Sequence, residues 1–316
     1  MQLWYPASRF DHHPFANYMP STQAGILTQF LNAELGTDFP AELLTFPTHS
    51  REDAPAAGGA RHPVLLFSPG QGTNAVLYSG LFEELASRGY IVAGIEHTFD
   101  APAVEFPGGR VETQNPDTTT DPDRQLPVRI ADTRFVLDQL TALATGHNPD
   151  ADHRPLPRGL GGVLDLTRVA AFGHSLGSRT AVGAIATDPR IDSGAALDGG
   201  PLLPTSLDRP FLMFGNPTHR RTEDPDWAGF YDRIRARPRL HLILDGAGHN
   251  DFSDVTVFKH TVDVGALFDI GPIDGDRALA IQRRYLTAWF DRTLHGRPSH
   301  LLRGESPRFP EVDFQP

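Results

Sequence analysis

Residues 168–187 read RVAAFGHSLGSRTAVGAIAT. The first five residues predict a buried strand, and the small residues from 178 to 187 predict a helix. Between them stands Gly-His-Ser-Leu-Gly, a G-x-S-x-G pattern in the strand–turn–helix context that gives the pattern meaning. Glycines two positions on either side of Ser175 avoid collisions of a Cβ with the adjoining strand and helix. The segment predicts a nucleophilic serine whose hydroxyl is exposed at a helix N-terminus, where developing negative charge is stabilised. The alternative is a glycine-rich corner without chemistry.

The rest of the chain alternates short apolar runs, which predict strands, with amphipathic runs, which predict helices. The predicted strands are 63–67, 90–95, 168–172, 194–197, 210–214 and 239–244. The predicted helices are 76–88, 128–143 and 276–294. This alternation predicts an α/β fold with a mostly parallel central sheet and helices on both faces. Together with the serine turn, it indicates the α/β-hydrolase fold.

Two stretches interrupt this alternation. Residues 47–62 are polar and rich in glycine and alanine, and residues 101–127 contain many prolines and glycines. Insertions of this length in a compact domain are usually functional or disordered. We expect both to be loop excursions from a single domain that spans residues 1–316.

The composition excludes several classes of function. The chain has 316 residues and 28 Lys+Arg against 39 Asp+Glu, which gives a formal charge of −11. This charge argues against nucleic acids and anionic membrane surfaces as partners, since both attract cationic proteins. Because there is no cysteine, disulfides, thiol catalysis and cysteine-ligated metals are excluded. We expect neither a metal nor a cofactor.

The cellular location and the oligomeric state stay open. No basic-then-apolar signal segment opens the chain, which fits a cytoplasmic protein. The first six residues, MQLWYP, resemble the middle of a strand, and this fits a secreted protein whose N-terminal segment is missing. The sequence does not separate these alternatives.

A serine needs a base to become a good nucleophile, and the base needs an acid to orient it. In hydrolases of this fold the three residues follow the chain order serine, acid, histidine. His249 lies on the loop after the predicted strand 239–244, where this order places the base. His219 comes too early in the chain, and His260 lies beyond that loop. We therefore expect His249 to be the base.

Two positions compete for the acid. Asp198 follows the predicted strand 194–197 and precedes a Gly-Gly turn that would present its carboxylate at the edge of the sheet. The other candidates follow the next predicted strand, in a polar run that also fits a solvated loop: Glu223, Asp224 and Asp226. Asp245 is too close to His249 in sequence to orient its ring easily. Chain order and strand-end placement favour Asp198.

The oxyanion hole of such a site uses two backbone N–H groups. Leu176 follows the serine, and Gln71 lies on the loop after the predicted strand 63–67, so we expect these two residues to be the donors. The same loop supports a rival interpretation, because residues 70–75 read GQGTNA and match the dinucleotide fingerprint G-x-G-x-x-A. Glu96 even ends the next strand, where a ribose-binding acid belongs. This Rossmann-type oxidoreductase leaves the serine turn and His249 without a role.

Several segments resemble the platelet-activating factor acetylhydrolases of the plasma and type II group, and the likeness extends over most of the chain. The similar segments are WYP at 4–6, FSPG at 67–70, LYS at 77–79, AGIEH at 93–97, GHSLG at 173–177, ALDG at 196–199 and GHNDF at 248–252. The resemblance implies an α/β-hydrolase that hydrolyses carboxylic esters without a cofactor. It places the family's triad on Ser175, Asp198 and His249 and its oxyanion donors on Leu176 and Gln71.

Three departures from the family pattern bear on substrate choice. The oxyanion loop reads Ser-Pro-Gly where Ser-His-Gly is usual, Gln71 replaces an apolar residue, and Ser178 replaces a common glycine. These changes leave the mechanism intact but put the acyl preference in doubt. The resemblance therefore implies short-chain acyl esters or acetyl esters of phospholipids, and bacterial relatives are often general esterases. A non-catalytic binding protein on the same fold is the alternative from another class.

Three further features have both a functional and a structural interpretation. Residues 22–35 form a helix with one apolar face, which either packs on the core or, as the resemblance implies, contacts lipid aggregates. His97 and Phe99 follow a strand at the expected active-site edge and are candidates for lining the acyl pocket, although a structural role fits equally well. His12 and His13 have no partner ligands at metal spacing, so we expect them on the surface.

Overall fold

A computed structural model gives the arrangement of the chain, and it describes residues 1–8, 10–115, 117, 121–200, 205–260, 263, 265 and 267–316. The strands within these residues are β1 Gln2–Trp4, β2 Phe15–Asn17, β3 Pro47–Arg51, β4 His62–Ser68, β5 Ile91–Gly94, β6 Ala103–Glu105, β7 Val111–Thr113, β8 Leu164–His174, β9 Ser193–Leu197, β10 Phe211–Gly215, β11 Arg239–Leu244 and β12 Val312–Phe314. The helices are α1 Ser21–Leu35, α2 Ser79–Ser87, α3 Pro122–Ala144, α4 Leu160–Val163, α5 Leu176–Thr187, α6 Pro225–Arg233, α7 Val255–Phe258 and α8 Gly275–Leu294.

Eight strands form the central sheet in the order β1-β5-β4-β8-β9-β10-β11-β12. The two edge strands pair antiparallel with their neighbours, and every other pair in this sheet is parallel. The inner strands are almost continuously buried, as expected for parallel strands covered on both faces. Because parallel strands end at the same edge, the segments that follow β4, β8, β9 and β11 come together there. This arrangement is the predicted α/β-hydrolase fold.

The sheet separates two hydrophobic cores, and alternate residues of β4 belong to each. Leu65 and Phe67 pack with α1, α2 and α8, whereas Val64 and Leu66 pack with α3, α5 and α6. The period of two along the strand and the apolar stripes of the helices therefore produce a three-layer arrangement. In this arrangement α5 packs on one face of the sheet and begins directly after the serine turn.

The two expected loop excursions contain more regular structure than their composition indicates. Part of 47–62 is β3, which pairs with β2, and part of 101–127 is the hairpin of β6 and β7. The helix α3 begins at residue 122, six residues before the predicted start, because proline suits the first helical position and Asp121 accepts a hydrogen bond from the Asp123 N–H group. Residues 116 and 118–120 lie outside the described part of the chain.

The helix predicted over 22–35 is α1, and its apolar face is buried only in part: Leu27 is buried and Leu31 packs against the core. The buried residues are Gln23, Ala24, Leu27 and Thr28, whereas Phe30 is 52% exposed. Within the described residues, every helix is too short or too polar to cross a lipid bilayer.

Candidate active site

The turn between β8 and α5 carries Ser175 in a strained backbone conformation. Its φ of +56° and ψ of −122° lie where residues other than glycine are rare. A Cβ on Gly177 would lie 1.9 Å from the carbonyl oxygen of Ser68, and one on Gly173 would lie 2.4 Å from the backbone of Gly177. The two glycines are therefore required for the close approach of β4, β8 and α5, which holds the strained turn in place.

Two elements that could supply oxyanion donors lie next to this turn. Leu176 is the first residue of α5, so its N–H group is one of those that have no partner within the helix. The loop after β4 approaches from the other side, and a Cβ on Gly70 would lie 3.4 Å from the Cβ of Ser175. Gln71 follows on this loop. Both sequence-predicted donors therefore belong to segments at the serine turn.

His249 and Asp198 are in direct contact at the same edge of the sheet. The Nδ1 atom of His249 lies 2.6 Å from Oδ2 of Asp198. The carboxylate is buried and also accepts hydrogen bonds from the backbone N–H and the side-chain amide of Asn216, at 2.5 and 3.2 Å. The His249 side chain is 35% exposed, so one end of the ring is accessible while the other is fixed.

The competing residues have other partners. His219 lies on the far side of Asp198, with 3.7 Å between its Nε2 and Oδ1 of the carboxylate, and its Nδ1 lies 2.7 Å from Asp224. Asp224 also caps the N-terminus of α6. His260 is exposed and lies 3.8 Å from Asp274. Of the histidines and acids weighed from the sequence, the structure brings His249 and Asp198 together at the serine turn.

A chain of hydrogen bonds that the sequence analysis missed connects both sides of this turn. The carbonyl of His249 can only accept, so Nε2 of His174, 2.9 Å away, carries the proton. Burial keeps the pKa of His174 well below its usual value, so the ring is neutral and its Nδ1 accepts from the Tyr78 hydroxyl at 2.8 Å. The hydroxyl in turn accepts from the N–H group of Gly70 at 3.3 Å.

A buried arginine also contacts the loop after β4. Arg129 on α3 is 1% exposed, and its guanidinium donates to the carbonyls of Pro69 and Gly70. It forms an ion pair with the buried Asp100. Arg129 lies 60 and 59 residues from Pro69 and Gly70 and 29 from Asp100 in the chain, so no local pattern could have indicated these contacts.

The two expected pocket residues differ in their surroundings. The His97 ring is 2% exposed, with Nδ1 at 2.8 Å from Asp132 and Nε2 at 3.2 Å from the Ser68 hydroxyl. Phe99 is 46% exposed and has a φ of +72°. The hydrogen bonds at both ring nitrogens favour the structural interpretation of His97, whereas the Phe99 ring is accessible; their pocket roles stay predictions.

The residues of the dinucleotide fingerprint have other contacts. The Glu96 side chain is partly buried, and its carboxylate accepts hydrogen bonds from the Ala75 N–H group at 3.0 Å and from the Asn74 side chain at 3.1 Å. Burial raises the pKa of this carboxyl group. Gly70 lies against Ser175, so this loop packs on the serine turn. Glu96, which would bind a ribose in the dinucleotide-binding interpretation, is therefore hydrogen-bonded to neighbouring residues of this chain.

Two groups of side chains have the spacing of metal ligands among the described residues. The first consists of His174, Asp198 and His249, but both ring nitrogens of His174 already have hydrogen-bond partners. The second consists of His260, Asp274 and Asp276, all of which are exposed. Hydrogen bonds therefore account for the close spacing of the first group, and the second group lies on the solvent-exposed surface.

The chain matches the family described as platelet-activating factor acetylhydrolase, isoform II, over residues 1–297. A probable 1-alkyl-2-acetylglycerophosphocholine esterase from Arthroderma benhamiae is 32% identical over 281 residues, which cover 80% of this chain and 66% of that protein. A platelet-activating factor acetylhydrolase from Cavia porcellus is 26% identical over 328 residues, which cover 93% of this chain and 72% of that protein.

A solved structure agrees with these relatives. A ferulic acid esterase from Streptomyces cinnamoneus is 32% identical and superposes with a TM-score of 0.80, covering 99% of this chain and 88% of its own. The expected fold and the family resemblance are both confirmed, and the dinucleotide-binding alternative gains no support. The chain belongs to the platelet-activating factor acetylhydrolase, isoform II family and is a carboxylic ester hydrolase of the α/β-hydrolase fold.

Proposed function

We propose that this chain hydrolyses esters through an acyl-enzyme formed on Ser175, with His249 as the general base and Asp198 as the acid that orients it. The observation that carries the proposal is the 2.6 Å contact between His249 Nδ1 and the buried Asp198 carboxylate, beside the strained serine turn. The carboxylate fixes the proton on Nδ1, which leaves Nε2 free of a proton and able to accept one.

The reaction proceeds in two halves. The Ser175 oxygen attacks the ester carbonyl carbon while its proton passes to His249, and the resulting oxyanion collapses as the alcohol leaves with that proton. Water then repeats the sequence and releases the acid. The N–H groups of Leu176 and Gln71 stabilise the oxyanion, and one such donor typically contributes about 10²–10³ in rate. The helix N-terminus of α5 adds a favourable dipole.

The substrates that we propose are small esters with short acyl chains, including acetyl esters of phospholipids. The names of the fungal and guinea pig relatives support the phospholipid, and the similarity to a ferulic acid esterase supports a wider range that includes aromatic acyl groups. No cofactor enters this mechanism.

We also propose peripheral contact with lipid aggregates through residues 22–35 and the segment that follows. Three large apolar side chains are exposed there: Phe30, Leu43 and Phe46. Exposed apolar groups of this kind bury in the interfacial region of a lipid surface. A Phe30→Ser variant should keep turnover of soluble esters and lose turnover of aggregated phospholipid, and equal loss on both would contradict the contact.

A fluorophosphonate probe tests the catalytic proposal. The wild-type chain should take up one probe per molecule at Ser175 and lose activity in step with labelling. A panel of p-nitrophenyl esters from acetyl to palmitoyl, methyl ferulate and a short-chain phospholipid with an acetyl group would rank the substrates. A folded chain without labelling or turnover would instead support the non-catalytic binding protein.

A further inference from the structure

The loop after β4 is held by a buried ion pair whose contacts converge on two successive peptide groups. Arg129 Nη1 donates to the Pro69 carbonyl at 2.7 Å, and Nη2 donates to the Gly70 carbonyl at 2.9 Å. The Gly70 carbonyl and the Gln71 N–H group belong to the same peptide, which is trans. In a planar trans peptide these two groups point in opposite directions. The Gly70 carbonyl also accepts a hydrogen bond from the Thr73 hydroxyl at 2.7 Å, and the two hydrogen bonds together fix the direction of the Gln71 N–H group.

Asp100 completes this arrangement from the segment after β5. One carboxylate oxygen pairs with Arg129, and the other accepts the Gly72 N–H group at 3.1 Å and the side-chain amide of Gln125 at 3.0 Å. The peptide groups before and after Gln71 are thus both attached to the ion pair. A buried ion pair is costly unless nearly all its hydrogen bonds are made, so its placement here needs a reason.

We propose that Arg129 and Asp100 are positioning residues that orient and polarise the Gln71 N–H group as an oxyanion donor. The inference rests on the proposed function, because it concerns the donor that stabilises the reacting oxyanion. A cation bound to a peptide carbonyl withdraws electron density from that peptide, which makes its N–H group a stronger donor. The planar fork of arginine can bind two carbonyls and a carboxylate together, which a lysine ammonium cannot do in the same geometry.

Three substitutions test this role, with a matched control on the same helix. Arg129→Met removes the charge and both carbonyl contacts, Arg129→Lys keeps the charge, and Asp100→Asn keeps the shape of its side chain. Arg134→Met is the control, since Arg134 also lies on α3 but is half exposed and pairs with Asp188 at 3.8 Å. Fluorophosphonate labelling counts the active sites, so kcat is expressed per competent site.

The two readouts are the kcat and KM for p-nitrophenyl acetate and the affinity for a trifluoromethyl ketone, which forms an oxyanion on the serine. Arg129→Met should lower kcat by about 10- to 100-fold, which is part of the rate contribution of one oxyanion donor. The affinity for the ketone should fall by a similar factor, and KM should change little. Arg129→Lys and Asp100→Asn should show smaller losses in the same two quantities, and Arg134→Met none. A role in stability alone would reduce the fraction of labelled sites without changing kcat per site.

The outcomes separate this inference from the proposed function. A wild-type chain that is not labelled and not active would overturn the proposed function itself. If the wild type is labelled and active, and folded Asp100→Asn and Arg129→Lys keep the wild-type kcat and ketone affinity, the positioning role is wrong. These two conservative variants decide the question even if Arg129→Met fails to fold.

Discussion

Among the residues that the structure describes, two sets of serine, histidine and aspartate lie close together, and the proposed function assigns catalysis to one of them. The buried set is named for its buried serine and histidine and consists of Ser68, His97 and Asp132, joined by contacts of 3.2 and 2.8 Å; the Asp132 side chain is 41% exposed. The accessible set consists of Ser175, His249 and Asp198. In hydrogen bonding alone the buried set resembles a catalytic triad.

The surroundings of the two sets differ in three respects. Ser68 is the last residue of a buried strand, whereas Ser175 stands on a strained turn at a helix N-terminus. His97 is 2% exposed, whereas the His249 side chain is 35% exposed. Burial, and then the neighbouring Arg129, lowers the pKa of His97 to about 4, which makes it a poor base at neutral pH. On the proposed assignment, the comparison teaches that access, backbone strain and the basicity of the histidine, not residue types alone, separate an active site from a structural network.

The largest difference should appear between the two variants in which one of the two serines is replaced by alanine. Ser175→Ala should lower kcat for p-nitrophenyl acetate by about 10⁶-fold, because the nucleophile of a triad acts as part of a unit. Ser68→Ala should keep a large part of the wild-type rate and one labelled site per molecule. Steady-state rates with active-site titration measure both. If Ser68→Ala alone abolished labelling, the assignment of the two sets would be reversed.

The two aspartates give the next largest difference. Asp198→Asn should lower kcat by about 10⁴-fold, since the wrong histidine tautomer would then be stabilised. Asp132→Asn should change turnover little, because its partner His97 is buried. Asp224→Asn serves as a second control for the acid weighed from the sequence. A collapse of turnover in Asp224→Asn with a near-normal Asp198→Asn would show that the acid is misassigned.

Much of this arrangement could be predicted from the sequence where the signals are local. The strand 239–244 and the helix near 276–294 are found almost as predicted, because buried strands and amphipathic helices have distinct apolar periods. The serine turn follows from five consecutive residues, and the contact of Asp198 with His249 follows from chain order on a parallel sheet. Their catalytic roles stay predictions.

What the sequence could not indicate depends on long-range contacts or on competing local signals. Tyr78 meets His174, 96 residues away, and no spacing in the chain encodes that meeting. Residues 101–127 were predicted as a loop from their prolines and glycines, yet proline at the first position of α3 favours a helix start. Composition alone does not distinguish a proline that breaks a helix from one that begins it.

A pH experiment would sharpen the contrast between the two histidines. Burial lowers the pKa of folded His97 to about 4, against about 6.5 for a histidine in the unfolded chain, so between these values the unfolded chain binds more protons. Its contribution to stability is therefore complete above pH 6.5 and falls as the pH is lowered towards 4. Between pH 7.5 and pH 5 this amounts to about 2 kcal/mol in the free energy of unfolding.

His97→Gln should remove that part of the pH dependence. Urea unfolding at the two pH values measures it, and the other buried histidines contribute equally to both chains. The groups that face His97 are Arg129, Asp132 and Asp100, and they are unchanged in the variant. His147→Gln alters an exposed histidine and should keep the wild-type pH dependence. An unchanged slope in His97→Gln would contradict a neutral buried ring.

The smallest effect should come from Tyr78, whose hydroxyl connects the oxyanion loop to His174 and thereby to the backbone of His249. Burial raises the pKa of Tyr78 to about 12, so the hydroxyl is protonated and donates to His174. Tyr78→Phe leaves the Gly70 N–H group and the His174 ring without their partner, which should cost about 1–3 kcal/mol of stability. The hydrogen bonds of Tyr78 and His174 connect Gly70, next to Gln71, with the backbone of His249. We therefore expect kcat per labelled site to fall by about tenfold, which corresponds to about 1.4 kcal/mol of lost transition-state stabilisation.

Tyr90→Phe is the matched control for this variant. The Tyr90 hydroxyl is also hydrogen-bonded, to Asp291 at 2.9 Å, but Tyr90 lies on the segment before β5 and its partner lies on α8, away from the serine turn. Thermal unfolding should show a loss of stability for both variants, whereas kcat per labelled site should fall only for Tyr78→Phe. If both variants lose stability and both keep the wild-type kcat, the Tyr78 hydroxyl supports the fold alone, and the accessible set depends on fewer buried contacts than its geometry indicates.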